Sequence, residues 1–554
     1  MVLSKIKIKD DFLKDKTIMF STWGCGDKDT FECRDWTPLF KKMFGKLIVF
    51  ASRNYYYNYG KKALNTEFLR IIQTEKPDYL LFGPGFYGQF YMETLAKIKE
   101  LSPHTKTIIE FGDDDWRFED WSRYYALFFD YIITSKKEID IYKKDNMHNA
   151  FFLHGANPDF FKPLNLEKKY DVSFIGRPVA NRHDYIKFLK ENGIKIKLFG
   201  VGWQNYPDLK EVYEGFLYDE NYPQIINQSK INLNFSKTLY KKGEFGQLKG
   251  RSLEVPLCNA FMLNEYTDKN IEFINNLKEI NFIGKEKLLE KIKYYLKHEK
   301  EREKLSKKLY DYMSKNQTWE LLFTNFFKKI EREKSKNFQL PKFNRKIISF
   351  SDKELDSSFE EISNLLKNYD YITLSKGKSE SLPYRNYLQS YSLQITGKSI
   401  SCCDYYVYSR GLGEYMVSMT KEAFYSLTEE DFCKFLNINQ IMVTKDYFLK
   451  NFDLFKRLFF GEKTKIINEE NTAFVSIPLV RVRKIPSITY QNMKKVFHMN
   501  FMDELASIFF QKKITNLYLF NFLLAFIRKR LVRKYLVDYL KDTKSLSNII
   551  KSFR

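Results

Sequence analysis

The chain has 554 residues, a formal net charge of +23, and 51 Phe and 38 Tyr. That length gives room for three or four domains with large cores. The basic residues are spread along the chain and interleaved with Glu, as in KEKLLEKIKYYLKHEKEREK (285–304); this is a solvated helix face, not a nucleic-acid stripe, and no zinc-finger or RNA-binding signature accompanies it. Nucleic acid is therefore excluded as a partner. The six cysteines, Cys25, Cys33, Cys258, Cys402, Cys403 and Cys433, form no CxxC and no Cys/His cluster. So few in so long a chain argue for reduced thiols and a cytoplasmic compartment. The N-terminal MVLSKIKIKDDFLKDK lacks the apolar run of a signal peptide. ITNLYLFNFLLAFI (514–527) is too short and too interrupted to span a bilayer.

TIMFSTWGCGD (17–27) reads as a strand entering a loop with Gly24 and Gly26. KLIVF (46–50) is a second strand, and NTEFLRIIQTEKPDYLLFGPG (65–85) an amphipathic helix followed by a third. TKTIIEFGDDDWRF (105–118) and FDYIITS (129–135) continue the series. Strands alternating with helices predict a parallel, doubly wound sheet. Asp113, Asp114 and Asp115 stand at a strand end, where they could cap the next helix, bind hydroxyls, act as a base or hold a metal. FFLHGANPDFFKP (151–163), with His154, leads into a second series.

That second series carries the strongest signals. YDVSFIGRPVANRHDY (170–185) is a strand ending at Gly176, followed by Arg177 and Arg182. IKIKLFGVGW (194–203) ends in Gly200-x-Gly202-Trp203. SKINLNFS (229–236) is a third strand, and GRSLEVPLCNAFML (250–263) a short helix carrying Arg251 and Glu254. Glycines at strand ends let backbone amides approach a ligand, and ligands of open α/β sheets sit at the carboxyl ends of the strands. Arg and Glu in one crevice suit a nucleoside diphosphate: guanidinium for phosphate, carboxylate for ribose hydroxyls. Residues 285 to about 335 read as long charged helices, and EREKSKNFQLPKFNRK (331–346) as a polar linker.

In order and spacing, Gly176, Arg182, Gly200, Trp203, Ser229, Asn234, Arg251, Glu254 and Ala260 resemble the nucleotide-sugar half of GT-B glycosyltransferases, specifically the CgeB-like (spore-maturation-protein-like) group. The likeness runs from about residue 16 to about 330. It implies an α/β fold of two Rossmann-like domains, 1–160 on the acceptor side and 161–335 for the nucleotide sugar, whose last helix crosses back to the first domain. It implies that Gly176, Arg182, Gly200, Trp203, Arg251 and Glu254 surround the donor nucleotide. Arg251 would neutralise the departing diphosphate, with Lys249 a weaker candidate, and Glu254 would accept from the ribose. Gly24 and Gly26 would form a phosphate-facing loop. Asp113, Asp114, Asp115 and His154 would face the cleft, with Asp114 the candidate catalytic carboxylate. Related enzymes carry a further Glu seven residues before the helix Glu; here that position is Gln247, and Glu244 lies further off. The nucleotide sugar is a substrate, so no cofactor and no metal are expected, and retention of configuration is the family-level expectation.

Residues 347–554 differ. DYITLSKGKSESLPYRNYLQSYSLQITGKSISCCDYYVYS (370–409) and SIPLVRVRKIPSIT (476–489) faintly resemble a family-2-like GT-A transferase, but its metal-binding DxD position is Ser375-Lys376-Gly377. Lysine cannot replace a carboxylate on a divalent cation. This region is then either a relic without catalysis or an unrelated α+β accessory domain. Its end, 503–541 with RKRLVRK (528–534), suits amphipathic packing or a membrane surface. The reading is a cytoplasmic bacterial glycosyltransferase, with peripheral association at the inner membrane face left open. Its partners would be a nucleotide-sugar donor and a glycan, lipid-linked or protein acceptor of the cell surface. The alternatives are a metal-dependent GT-A transferase using Asp113–Asp115 and a catalytically silent nucleotide- or glycan-binding assembly partner.

Overall fold

The computed structural model describes residues 11–22, 32–85, 89–112, 114–136, 138–217, 219–240, 243–333, 345–377, 379–409, 413–417, 425, 437–462 and 466–482. Gly24, Gly26, Asp113 and the segment 503–541 lie outside them. By contacts the chain divides into two compact units. One comprises residues 1–51, 75–84 and 102–339; the other comprises 52–74, 85–101 and 340–554.

The first unit holds two parallel sheets. Strands β1 (Thr17–Thr22), β2 (Lys46–Ala51), β3 (Tyr79–Phe82), β4 (Lys106–Phe111), β5 (Tyr131–Thr134) and β6 (Ala150–Phe152) pair in the order 2-1-3-4-5-6. The inner strands carry apolar runs, such as YLLF in β3 and YIIT in β5, with every residue buried. That is the mark of strands covered on both faces, as parallel sheets are.

The second sheet is built from β7 (Tyr170–Ile175), β8 (Ile196–Phe199), β9 (Tyr213–Gly215), β10 (Ser229–Asn234), β13 (Met262–Glu265) and β14 (Asn281–Phe282). A small hairpin, β11 (Lys237–Tyr240) with β12 (Gly243–Gly246), sits apart from it in the pairing. The order is β9-β8-β7-β10-β13-β14, all parallel. Renumbered within the domain this is 3-2-1-4-5-6, the doubly wound dinucleotide-binding order. Its direction of winding reverses between β7 and β10, so the ligand crevice of such a sheet lies beyond those two strand ends.

Three charged helices follow: Lys285–Lys297, Glu299–Asn316 and Trp319–Arg332. The last begins at Thr318, whose side chain accepts from the Leu321 amide at 3.4 Å. It buries Trp319, Phe323, Phe326, Phe327 and Ile330, one stripe at helical spacing. That stripe belongs to the core of the first domain, with Ile18, Phe20, Trp36, Phe40 and Tyr79. Phe323 meets the rings of Trp36 at 5.4 Å and Phe40 at 5.0 Å, and Phe327 meets Phe44 and Tyr79, each at 5.1 Å. Two doubly wound domains with the final helix returned to the first are the GT-B architecture expected from the sequence.

The second unit contains a mixed sheet of β15 (Ile347–Phe350), β16 (Tyr371–Leu374), β17 (Ser379–Ser381), β18 (Ile400–Ser409), β19 (Gly413–Val417), β20 (Ile441–Thr444) and β21 (Thr472–Val482). The order is β15-β16-β20-β18-β21-β17, with β19 beside β18; β20 runs antiparallel to both its neighbours. The unit also takes in most of the helices Ser52–Glu75 and Met92–Leu101 from the N-terminal part of the chain. Tyr91 packs with Leu382 and Tyr406, and the Lys61 ammonium lies 3.5 Å from the Tyr406 ring centroid.

The expectation of uniformly reduced thiols needs one correction. Cys258, Cys402 and Cys403 are free and buried, whereas Cys33 is disulfide-bonded. A low cysteine count does not report which two thiols the fold brings together. No helix among the described residues is long and apolar enough to cross a membrane.

Phe323→Ala removes a fully buried ring from the helix that ties back to the first sheet. It is expected to destabilise that unit by about 3–5 kcal/mol, as for other buried Phe truncations. Denaturant unfolding of the full chain should show this; a loss under ~1 kcal/mol would mean the returning helix is not part of that core.

Candidate functional site

Two arginines converge where the second sheet reverses. Arg251 opens the short helix Arg251–Leu257. Its Nε donates to Asn234 Oδ1 at 3.2 Å, and its Nη1 donates to the Ile175 carbonyl. Ile175 is the last residue of β7 and Asn234 the last of β10. One guanidinium therefore bridges the two strand ends that flank the reversal. It also lies over the Phe174 ring, 4.9 Å from the centroid. Arg182, at the start of the helix Arg182–Glu191, lies 5.5 Å from the same ring. Its guanidinium donates to the carbonyls of Arg177 at 3.0 Å, Phe235 at 3.2 Å and Lys237 at 3.4 Å.

Arg182 is only 4% exposed. Burial above all, together with the neighbouring Arg251 and against an opposing pull from Glu265, lowers its pKa to about 9. Glu265 supplies some negative charge, and an anion placed beside the two guanidinium groups would add to it.

The glycines make room for this. A Cβ on Gly176 would stand 2.8 Å from Arg251 Nη1 and 2.9 Å from the Phe174 ring. A Cβ on Gly200, where φ is +117°, would stand 2.7 Å from the Gly176 carbonyl oxygen. The ends of β7 and β8 thus touch backbone to backbone, and the Gly176 amide donates to the Phe199 carbonyl at 2.9 Å.

Trp203 was expected beside the nucleotide and is corrected. It is fully buried, and its indole N–H donates to the Gly176 carbonyl at 2.7 Å. It clamps the turn that Arg251 leans on. Arg182 is corrected in part: its Nη donors are engaged by carbonyls while its Nε is buried without a hydrogen-bond partner, so it brings charge rather than an open fork. Ser229 and Ala260 are also interior. Ser229 bonds Ser173 and the Ile225 carbonyl, each at 2.7 Å, and Ala260 lies in the core.

Glu254 sits one turn after Arg251. Tyr222 donates its hydroxyl to Glu254 Oε2 at 2.6 Å. Burial raises the Glu254 pKa; the Tyr222 hydrogen bond, Arg251 and Arg34 oppose the rise. Arg34 comes from the first domain. It is paired with Asp35 at 2.7 and 3.0 Å and lies 4.2 Å from the Phe160 ring centroid. Lys249 donates to Thr238 Oγ1 at 2.7 Å and to Gln247, so these two residues bond one another rather than stand apart.

The acidic strand end of the first domain is turned inward. Asp114 is 1% exposed and accepts from Thr134 at 2.8 and 2.9 Å and from the Tyr142 hydroxyl. The assignment of Asp114 as a cleft carboxylate is corrected: Thr134 on β5 and Tyr142 supply donors that hold it in the interior. The same segment closes a buried ion pair, Arg117 with Asp120 at 3.2 Å. The His154 ring lies 5.6 Å from that of Phe273. In the second unit, the Lys376 amide donates to Asn439 Oδ1 at 2.6 Å, and its ammonium donates to the Phe459 carbonyl. Among the described residues no three His, Cys, Asp or Glu side chains gather as a metal site.

Sequence reasoning passed over Tyr222, Asn264 and Asn281. The last two accompany Asn234 in buried positions of parallel strands. An Asn in an otherwise apolar strand was the available signal, since a buried amide must find partners.

Residues 182–327 match a family described as "Glycosyl transferase-like". The matched segment contains Arg182, Arg251 and Glu254. No curated protein matches the chain. Among solved structures, the chain is similar to Anabaena HepE in complex with UDP and glucose, at 11% identity and a TM-score of 0.42, over 57% of this chain and 100% of that one. It is also similar to the T4 phage β-glucosyltransferase, at 15% identity and a TM-score of 0.38, over 56% and 98%. A third is a mutant of TarM from S. aureus, at 12% identity and a TM-score of 0.35, over 48% and 58%.

The raised pKa of Glu254 gives a sign to its effect on stability. A carboxyl whose folded pKa exceeds its unfolded value favours folding in its protonated form, and the native state loses that advantage as pH rises through the folded pKa. Glu254→Gln keeps an acceptor for Tyr222 without the charge. Its melting temperature relative to the native chain is expected to rise as pH increases above the ordinary carboxylate range and then to level off. A difference independent of pH would show that the carboxylate carries no burial cost.

Proposed function

We propose that this chain is a glycosyltransferase that takes a nucleotide-sugar donor in the crevice beyond β7 and β10. The observation that carries the reading is the Arg251 guanidinium bridging Ile175 and Asn234 at the reversal of the sheet. Glu254 one turn on and the family match over 182–327 support it. Arg251 would take the charge that develops on the departing diphosphate, with Arg182 adding positive potential from behind. Glu254 would accept from ribose hydroxyls. This scheme needs no divalent metal. The acceptor would be a bacterial surface glycan, a lipid-linked saccharide or a glycoprotein, with retention of configuration. The CgeB-like group is the subfamily proposed. Residues 347–554 are proposed as a degenerate GT-A-like domain that locates the acceptor, where Lys376 stands at the would-be metal position and is held by a backbone carbonyl.

The inward placement of Asp114 favours one second reading. Without that carboxylate in the cleft, a nucleotide-binding partner without turnover is the alternative. Nucleotide release from a panel of nucleotide sugars separates the two.

Calorimetric titration with UDP, GDP, CMP and TDP tests the site. Arg251→Ala and Glu254→Ala should each weaken the nucleotide that binds by roughly 1–3 kcal/mol, the cost of a lost charged hydrogen bond. Unchanged affinity in both variants would remove the assignment. Turnover is expected to survive EDTA; complete loss restored by manganese would overturn the metal-free scheme.

A further inference from the structure

Three buried asparagines stand side by side on adjacent parallel strands. Asn234 of β10 is in register with Asn264 of β13, and Asn264 is in register with Asn281 of β14. Asn234 and Asn264 are fully buried and Asn281 is 9% exposed. Their amides form one directed series with two side branches: Asn234 Nδ2 also donates to Ser252 Oγ at 3.0 Å, and the Ser236 hydroxyl donates to Asn264 Oδ1 at 3.5 Å. Asn281 Nδ2 donates to the Leu277 carbonyl at 2.8 Å. Asn264 Nδ2 donates to Asn281 Oδ1 at 2.6 Å. Asn234 Nδ2 donates to Asn264 Oδ1 at 2.8 Å. Asn234 Oδ1 is left to accept from Arg251 Nε at 3.2 Å.

The direction of this series is dictated by its ends. A backbone carbonyl can only accept, and a guanidinium N–H can only donate. Three amides joining an acceptor-only group to a donor-only group have one polarity that satisfies every link. Reversing any one of them sets N–H against N–H or oxygen against oxygen in a dry interior, where an unmade bond is costly.

We propose that Asn281, Asn264 and Asn234 are positioning residues for Arg251. Their fixed polarity presents an acceptor to Nε, sets the plane of the guanidinium and leaves its outer nitrogen for the anionic part of the ligand. The series begins at Leu277, outside the crevice, and transmits only orientation. None of its members but Asn234 touches the arginine. The proposal rests on the donor-site reading for its purpose, but the orientation of Arg251 can be tested separately.

The test uses four variants of the full chain. Asn281→Leu and Asn264→Leu remove the acceptor that the next amide needs. Asn281→Asp and Asn264→Asp keep an acceptor there while burying a carboxylate. The first readout is the Arg251 Nε–H resonance, identified by its absence in Arg251→Lys. It is expected to be protected from exchange in the native chain and both Asp variants, and to lose that protection in both Leu variants. The second readout is UDP affinity, expected to fall about tenfold in the Leu variants, as for one lost charge-assisted hydrogen bond, and to stay within about threefold in the Asp variants. The Asp variants should nonetheless melt lower, because they bury a charge. A merely structural role predicts the opposite ranking, with affinity following melting temperature. A protected Nε–H in both Leu variants overturns the proposal. An Nε–H that behaves as expected, in a chain that binds neither UDP nor the other diphosphates, upholds the positioning role and removes the donor-site reading instead.

Discussion

Two guanidinium groups share the ring of Phe174 at the point where the second sheet changes direction. Like charges at such a distance repel, and burial raises the cost by taking Arg182 from water. What offsets this is a set of oriented oxygens: the carbonyls of Ile175, Arg177, Phe235 and Lys237, and the side-chain oxygen of Asn234. Each lies at or just beyond a strand end. The sheet topology therefore gathers the acceptors, and the acceptors make the cation pair tolerable. Gly176 and Gly200 follow from the same requirement, since a methyl group at either would displace the arginine or separate the strand ends.

The architecture was legible because parallel strands buried on both faces are written as uninterrupted apolar runs. The runs at 17–22 and 79–82 show this, and β1 and β3 occupy them. The helix Trp319–Arg332 was read only as one of a run of charged helices, its aromatic stripe went unremarked, and its return to the first domain came from the family resemblance.

The site was legible in its order and less so in its orientations. The motif spacing put Arg251 and Glu254 one turn apart on a helix, and the helix Arg251–Leu257 carries both. It could not say that Trp203 spends its N–H on Gly176, or that Asp114 turns toward Thr134 and Tyr142. A polar residue at a strand end has two outlets, the crevice or a neighbouring strand, and a shift of one position decides between them. Asn264 and Asn281 were missed for the converse reason. They lie in strands that look like plain core, and their meaning depends on a register that only the folded sheet supplies.

The composition of the second unit has a consequence for how the protein is made. Helical residues 52–74 and 85–101 belong with partners that begin at residue 340. Tyr91 meets Leu382 and Tyr406, hundreds of positions downstream. At ~5–20 residues per second, synthesis leaves those helices without their partners for roughly tens of seconds. During that interval the first unit must close around a loop-out of its own chain, and the waiting apolar surface needs shelter from other nascent chains. Biogenesis of this protein is therefore expected to depend on translation rate and on holding chaperones more than its two Rossmann-like domains alone would require.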